Sequence, residues 1–219
     1  MTSRPNKVEP RPKPRFYLVT PLVDDADTFA PTLAAALEAG DVAAVLLRLK
    51  AADERSMINT AKTLGRVVQD RQVALLLDGH ADLVARAGAD GAHLAGLAEF
   101  TAALEQLKPD RIAGAGRMET RHDAMTAAEL GCDYVMFGEP DDHGERPAFD
   151  AIEDRVSWWA EVFEAPCVGF AGGAAEVEPL VKAGADFIAL GDWIWADAQT
   201  VSATIADAAR HMVVPEIAA

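Results

Sequence analysis

From residue 16 onward, one hydrophobic pattern repeats along the chain: a short apolar run rich in leucine and β-branched residues, then a segment with helical periodicity. Eight apolar runs predict β-strands, at residues 16–21, 42–49, 73–77, 91–94, 111–115, 134–138, 167–170 and 187–190. Helices are predicted in the gaps, and a last helix from about Ala198 to His211. Eight strands alternating with eight helices predict an α/β fold, a single (β/α)8 or TIM barrel domain within residues 15–219.

An internal repeat favours this barrel over its rival, a doubly wound open sheet. The segments EAGDVAAVLL, RAGADGAHL, ELGCDYVMFG and KAGADFIALG each combine a helix end, a glycine, an aspartate and a strand. Their glycines, Gly40, Gly88, Gly131 and Gly184, precede the second, fourth, sixth and eighth predicted strands. Each glycine can adopt the left-handed conformation that ends a helix. A period of two βα units that continues to the eighth strand favours a closed barrel.

Composition narrows the classes of function. The chain has 219 residues, 50% of them hydrophobic, and its formal net charge of −15 argues against nucleic acids and anionic membranes as partners. Its two cysteines lie in apolar segments, which indicates a reducing, cytoplasmic location rather than a disulfide framework. No apolar run has the length of a membrane span. Residues 1–14 are basic and proline-rich without the apolar core of a signal peptide, so we interpret them as a disordered arm.

Reactive groups in TIM barrels lie at the carboxyl ends of the strands, so the polar residues that follow each strand are candidates. These candidates are Arg48 and Lys50 at the end of the second strand, Asp78 and His80 after the third, Arg117 after the fifth, Glu139 and the loop residue Arg146 after the sixth, and Gly191 and Asp192 after the eighth. Arg48 and Lys50 are two residues apart, which predicts that they point to the same side of their strand. We expect them to share one cavity with Asp78, Glu139 and the backbone amides of Gly172 and Gly173. His93, inside the fourth strand, is interpreted as structural.

The segment after the seventh strand is a candidate phosphate site. Ala171 is followed there by Gly172 and Gly173. Two glycines permit backbone N–H groups to approach an anion, at the position where TIM barrels commonly bind phosphate. These two glycines therefore predict a turn that binds a phosphorylated ligand.

The order of the motifs FYLVTP, VLLRLK, LLLDGHADLVARAGADGAHLAG, CDYVMFGEP, VGFAGG and AGADFIALGDWIWAD resembles that of thiamine-phosphate synthases and the related thiazole tautomerases. The resemblance covers roughly residues 16–197 and implies a role in thiamine biosynthesis. In that family the synthase joins a hydroxymethylpyrimidine pyrophosphate to a thiazole phosphate, with Mg²⁺, and releases pyrophosphate. The resemblance implies that Arg48 and Lys50 hold pyrophosphate and that Gly172 and Gly173 belong to the phosphate site.

The sequence departs from the family pattern where the family binds its metal. The two metal-binding aspartates of the family correspond to Gly79 and Ala98. The resemblance therefore implies no two-carboxylate metal site, and Mg²⁺ as a cofactor only if synthase activity is retained. Glu139 stands where the tautomerases have a histidine that moves a proton. Asp192 replaces a serine of the phosphate-binding loop and would repel a dianion if it faced the ligand, and Trp193 beside it could fill part of the pocket or stack on a ring.

Three functions follow, and the sequence leaves them open. The first is a synthase-like protein that binds a phosphorylated thiazole or pyrimidine at the carboxyl-terminal barrel face, with transferase turnover opposed by the missing carboxylates. The second is a metal-free tautomerase that uses Glu139 as acid or base, with His80 and Asp78 as further catalytic candidates. The third is a non-catalytic barrel that binds a small ligand. Without a metal, Arg48 and Lys50 are expected to pair with Asp78 and Glu139 in an internal ion-pair cluster. Assembly into a homo-oligomer also stays open.

Overall fold

The structure, a computed structural model, describes residues 12–212, and eight parallel strands close there into a barrel in sequence order. The strands are β1 (Arg15–Val23), β2 (Val42–Leu49), β3 (Ala74–Asp78), β4 (Gly91–Ala95), β5 (Ile112–Gly116), β6 (Tyr134–Phe137), β7 (Cys167–Ala171) and β8 (Phe187–Leu190). The helices are α1 (Ala26–Glu38), α2 (Glu54–Gln69), α3 (Ala81–Ala87), α4 (Gly96–Leu107), α5 (Arg121–Glu129), α6 (Phe149–Val162), α7 (Val177–Ala183) and α8 (Val201–Arg210). The predicted TIM barrel is confirmed, and α8 begins three residues later than expected.

The predicted amino-terminal arm stays a prediction. Its residues 1–11 lie outside the described part of the chain, and residues 12–14 have no regular secondary structure. Within residues 12–212, every helix is too short or too polar to cross a bilayer.

The hydrophobic core has two layers, which follow from the alternation of side chains along each strand. The larger layer lies between the strands and the surrounding helices. The smaller layer fills the inside of the barrel with residues from six strands: Tyr17, Val19, Ala44, Leu46, Leu76, Tyr134, Met136, Val168, Phe170 and Ala189. Two tyrosines thus lie deep inside the barrel, where each hydroxyl needs a hydrogen-bond partner.

The repeat seen in the sequence corresponds to a repeated structural device. The aspartates of its last three copies, Asp90, Asp133 and Asp186, each precede an even-numbered strand. Each carboxylate accepts a hydrogen bond from a backbone N–H near the start of the preceding odd-numbered strand: Leu75 (2.7 Å), Ala113 (2.7 Å) and Cys167 (2.8 Å). These bonds tie the strands together at the face opposite to the carboxyl-terminal mouth.

The glycines of the repeat follow the expectation in three copies out of four. Gly88, Gly131 and Gly184 have φ values of 72°, 90° and 95°, in the left-handed region. Gly40 does not, so its predicted left-handed conformation is wrong. The reason for glycine there is a close approach, because a Cβ atom on Gly40 would lie 2.9 Å from Cδ2 of Phe16.

Candidate functional site

A cavity opens at the carboxyl-terminal mouth of the barrel, where the candidate residues were expected. Its charged lining residues are Arg48, Asp78, Arg117, Glu139, Asp141 and Asp192, and its apolar walls include Val19, Leu46, Met136 and Phe170. Gly191 also lines it. Most of the sequence-predicted residues therefore meet here, and carboxylates outnumber guanidinium groups.

A wider cleft adjoins this cavity between the loops that follow β5 and β6. The cavity itself encloses about 50 Å³, which is space for one or two water molecules, whereas the cleft encloses about 360 Å³. Only the cleft falls within the range of pockets that hold small ligands. Arg117, Met136, Glu139 and Asp141 line both spaces, so a ligand in the cleft would reach the cavity past Glu139.

Arg48 faces the cavity from the end of β2. Its backbone N–H donates to the hydroxyl of the buried Thr20 at 3.0 Å, which ties β2 to β1 at this level. Its guanidinium lies between two carboxylates, with Nε 3.8 Å from Asp78 Oδ2 and Nη1 3.3 Å from Asp192 Oδ1. The Arg48 side chain is 28% exposed and that of Asp192 is 73% exposed, so these ion pairs are open to water.

Lys50 does not line the cavity, and the expectation that it shares the cavity with Arg48 is wrong. Strand β2 ends at Leu49, so the alternation that fixes the direction of Arg48 no longer applies one residue later. The Lys50 ammonium instead pairs with Asp24 at 2.7 Å, and its side chain is 57% exposed. The expected internal cluster of Arg48 and Lys50 with Asp78 and Glu139 is therefore reduced to the single contact between Arg48 and Asp78.

A chain of buried polar side chains runs from the barrel interior to Glu139. The hydroxyls of Tyr17 and Tyr134 are 2.7 Å apart, and the Tyr134 hydroxyl is 2.9 Å from His93 Nδ1. His93 Nε2 is 3.4 Å from Glu139 Oε1, with the two side chains 5% and 9% exposed. Burial raises the pKa of both phenols above their ordinary value, so both are protonated donors. His93, interpreted from the sequence as structural, contacts the candidate acid–base residue Glu139 directly.

Two glycines of β5 make the space that this chain of side chains occupies. A Cβ atom on Gly114 would lie 2.1 Å from Cζ of Tyr134. A Cβ atom on Gly116 would lie 2.0 Å from Glu139 Oε1 and 2.2 Å from His93 Nε2. Any larger residue at either position would displace the polar chain.

The Glu139 carboxylate is held by the backbone of the loop after β5. Oε1 accepts a hydrogen bond from the N–H of Arg117 at 2.5 Å, at a point where Arg117 has a φ of 49°. The Arg117 guanidinium pairs with Asp142. Burial alone would lower the pKa of Arg117, but the hydrogen bond from its guanidinium to Asp142 and the charges of the nearby carboxylates raise it overall, so the residue is a fixed cation.

Gly172 and Gly173 do not line the cavity, so the expectation that their amides share it is wrong. The predicted phosphate turn lies beside the mouth and belongs to a second polar cluster. The loop residue Arg146 reaches over Gly172, and the Gly172 N–H donates to Glu176 at 2.6 Å. A Cβ atom on Gly173 would meet nothing within 4 Å. Arg146 lines the wider cleft. Glu176 was not foreseen from the sequence, because its contact depends on a short 3-10 helix, Ala174–Glu176, that turns it back towards the glycines.

His80 and Trp193 lie outside the cavity lining. His80 precedes α3, and its side chain makes no capping hydrogen bond to that helix. Trp193 donates its indole N–H to the carbonyl of Ala171 at 2.9 Å, so it supports the turn after β7. Asp192 lines the cavity rather than pointing away from it.

The donor set at the mouth differs from a divalent-metal site. Gly79 and Ala98 have no side-chain oxygen at the positions where the resembled family has aspartates. Asp78 is paired with Arg48. Within residues 12–212, no group of three His, Cys, Asp or Glu side chains is arranged to hold a metal ion.

Comparisons with known proteins agree on one family. A family model described as thiamine monophosphate synthase matches residues 16–194. The thiamine-phosphate synthase of Rhodospirillum centenum is 42% identical over 201 residues, which are 90% of this chain and 97% of that protein. The thiamine-phosphate synthase of Hyphomonas neptunium is 37% identical over 197 residues, which are 85% of this chain and 88% of that protein.

Solved structures have the same fold. The thiamine phosphate pyrophosphorylase from Pyrococcus furiosus superposes with a TM-score of 0.75 at 23% identity, and the match covers 91% of this chain and 96% of that one. The (S)-3-O-geranylgeranylglyceryl phosphate synthase from Thermoplasma acidophilum gives a TM-score of 0.68 at 15% identity, over 91% and 93%. At these identities the likeness concerns the fold alone.

Proposed function

Because this chain belongs to the thiamine monophosphate synthase family, a family of thiamine biosynthesis, we propose that it binds a phosphorylated thiazole or pyrimidine precursor at the carboxyl-terminal mouth of the barrel. The observation that carries this proposal is the pair of spaces joined at Arg117 and Glu139. The ring would lie in the wider cleft, and the phosphoryl end would lie within reach of Arg48, Arg117 or Arg146. Arginine is well suited to this role because its planar fork matches phosphate oxygens.

The residues at this mouth do not form the magnesium site that the family pattern implies. Mg²⁺ is commonly held by one or two carboxylates together with substrate phosphates. The two family positions carry Gly79 and Ala98, and Asp78 already pairs with Arg48. We therefore expect transfer of the pyrimidine with release of pyrophosphate to be slow or lost.

Isomerisation of a thiazole is the second candidate function, and the environment of Glu139 favours it. Its carboxylate is nearly buried, accepts the Arg117 N–H and contacts His93 Nε2. A carboxylate fixed in this way at the junction of the two spaces can accept a proton from one ring position and return it to another. Asp78, in register with His93 on the neighbouring strand, is a further acid that lines the mouth. His80 has no contact that supports the catalytic role predicted from the sequence.

A thermal-shift screen of the purified chain tests the proposal. Thiazole phosphate, pyrimidine pyrophosphate, thiamine phosphate and pyrophosphate are each added with and without Mg²⁺. A ligand that binds only the native state raises the melting temperature by mass action, and 100 times its Kd adds about 2.7 kcal/mol. We expect a rise with at least one phosphorylated precursor that does not depend on Mg²⁺.

Variants separate the candidate functions. Arg117→Ala should reduce the shift, whereas Arg71→Ala, which removes a cation paired with Glu38 away from the mouth, should not. Glu139→Gln should leave binding in place and remove any isomerase turnover. Binding without turnover would identify a non-catalytic barrel. No shift with any precursor would refute the proposal, and a strict need for Mg²⁺ would refute the metal-free site.

A further inference from the structure

Glu176 is held by the kinds of donors that bind phosphate in other proteins. Its Oε2 accepts a hydrogen bond from the Gly172 N–H at 2.6 Å and from Arg146 Nη2 at 3.0 Å, and its Oε1 is 3.5 Å from Arg146 Nη1. The Arg146 and Glu176 side chains are 21% and 23% exposed. A backbone N–H and a guanidinium fork are a common donor set for phosphate oxygens. A carboxylate of the protein itself therefore occupies an anion position.

Arg146 is fixed independently of Glu176. Its Nε donates to the carbonyl of Gly138 at 2.7 Å, and its Nη2 also donates to the carbonyl of Phe170 at 2.8 Å. Its guanidinium carbon lies 5.3 Å from the centroid of the Phe170 ring. A Cβ atom on Gly172 would lie 1.8 Å from Arg146 Nη1, so the approach of the guanidinium requires glycine there. The donors would stay in place if the carboxylate left.

Glu176 can leave without disturbing the barrel. It ends the three-residue 3-10 helix Ala174–Glu176, and its backbone N–H donates to the Gly173 carbonyl at 3.1 Å. Rotation of its side chain moves the carboxylate but keeps that bond. The open space beside Gly173 leaves room for a group that replaces it.

We propose that Glu176 is a specificity-determining residue that competes, from within the protein, with the phosphoryl group of a ligand for Gly172 and Arg146. The proposal rests on the proposed function in one respect, because it takes that phosphoryl group to belong to the phosphorylated precursor. A tethered carboxylate acts at a high effective concentration, so an incoming phosphate binds more weakly than the free donors would allow. Glu176 does not weaken the binding of ligands that have no phosphoryl group at this end. It therefore selects between ligands with and without that group.

The test uses inorganic phosphate as the probe and isothermal titration of the full chain. Glu176→Gln and Glu176→Ala are expected to bind phosphate at least about tenfold more tightly than the wild type, which corresponds to about 1.4 kcal/mol. Adding Arg146→Met to Glu176→Gln should abolish the gain. Glu178→Gln is the matched control, because it removes the same charge at a position two residues from Glu176. The ion pair that Glu178 forms with Lys182 is exposed. Its phosphate affinity should stay within about twofold of the wild type.

Two results would overturn the proposal. In the first, both Glu176 variants bind phosphate within twofold of the wild-type affinity. In the second, the Glu178 control gains as much affinity as the Glu176 variants, which would show that the gain comes from net charge alone. Circular dichroism and the melting temperature verify folding, and Glu176→Gln, which keeps the side-chain shape, carries the test if Glu176→Ala does not fold. The precursor screen is a separate measurement. A wild type that binds no precursor, together with a Glu176 variant that gains phosphate affinity, would refute the proposed function alone.

Discussion

Replacing Tyr134 by phenylalanine removes one oxygen atom from the centre of the buried polar chain. That hydroxyl is shared with Tyr17 at 2.7 Å and with His93 Nδ1 at 2.9 Å, so two buried polar atoms lose this partner at once. An unsatisfied buried donor or acceptor costs about 1–3 kcal/mol. We therefore expect Tyr134→Phe to lower the free energy of unfolding by about 2–6 kcal/mol.

Tyr17→Phe is the matched control, since it also removes one buried hydroxyl from the same hydrogen-bonded pair. In that variant the Tyr134 hydroxyl keeps its bond to His93, so the expected loss is only about 1 kcal/mol. The double variant has neither hydroxyl, so neither one can be left in the core without its partner. The double loss should therefore be smaller than the sum of the single losses by at least about 0.5 kcal/mol.

Urea denaturation followed by tryptophan fluorescence measures all three variants, with equal m-values as the check that the unfolding transition is unchanged. The reasoning fails if Tyr134→Phe is no more destabilising than Tyr17→Phe. It also fails if the two single losses simply add, because the hydroxyls would then not depend on each other.

Three further predictions concern separate parts of the barrel. Arg48→Ala should cost less than about 1 kcal/mol in urea denaturation, because its ion pairs are open to water; a loss of 3 kcal/mol would show a desolvated cluster instead. Asp90→Ala should cost about 1–3 kcal/mol, since it leaves the N–H of the buried Leu75 without its carboxylate, and an unchanged unfolding midpoint would contradict this. Burial raises the pKa of the Cys132 thiol to about 11, so between about pH 9 and 11 the folded state keeps a proton that the unfolded state releases. The free energy of unfolding should therefore fall over this pH range, and it should fall less steeply in Cys132→Ser. Equal slopes of unfolding free energy against pH in the two proteins would contradict this.

The fold could be predicted from the sequence because a barrel strand carries a strong local signal. Each apolar run matched a strand to within two residues at both ends, and the repeated glycine and aspartate marked the even-numbered strands. The candidate site could be predicted where a residue continued a strand's alternation, as Arg48 and Asp78 do. Lys50 failed because its strand had already ended.

Other features of the site had no local signal. His93 occupies an inward position whether it is structural or functional, and only the position of Glu139, 46 residues later in the chain, distinguishes the two. Glu176 meets Gly172 and Arg146 through a turn and a long loop, and no period in the sequence encodes that contact. The roles of Gly114 and Gly116 likewise depend on which side chains of β4 and β6 need their space.

The aspartates that precede β4, β6 and β8 have a consequence for how this protein can change. They secure the strands at the barrel face opposite to the mouth, so the groups that hold the fold together and the groups that contact a ligand belong to separate ends of the same strands. Residues at the mouth can be exchanged without touching those bonds. Two carboxylates can therefore be absent from positions 79 and 98 while the barrel stays closed, and the same architecture leaves the mouth available for a different chemistry.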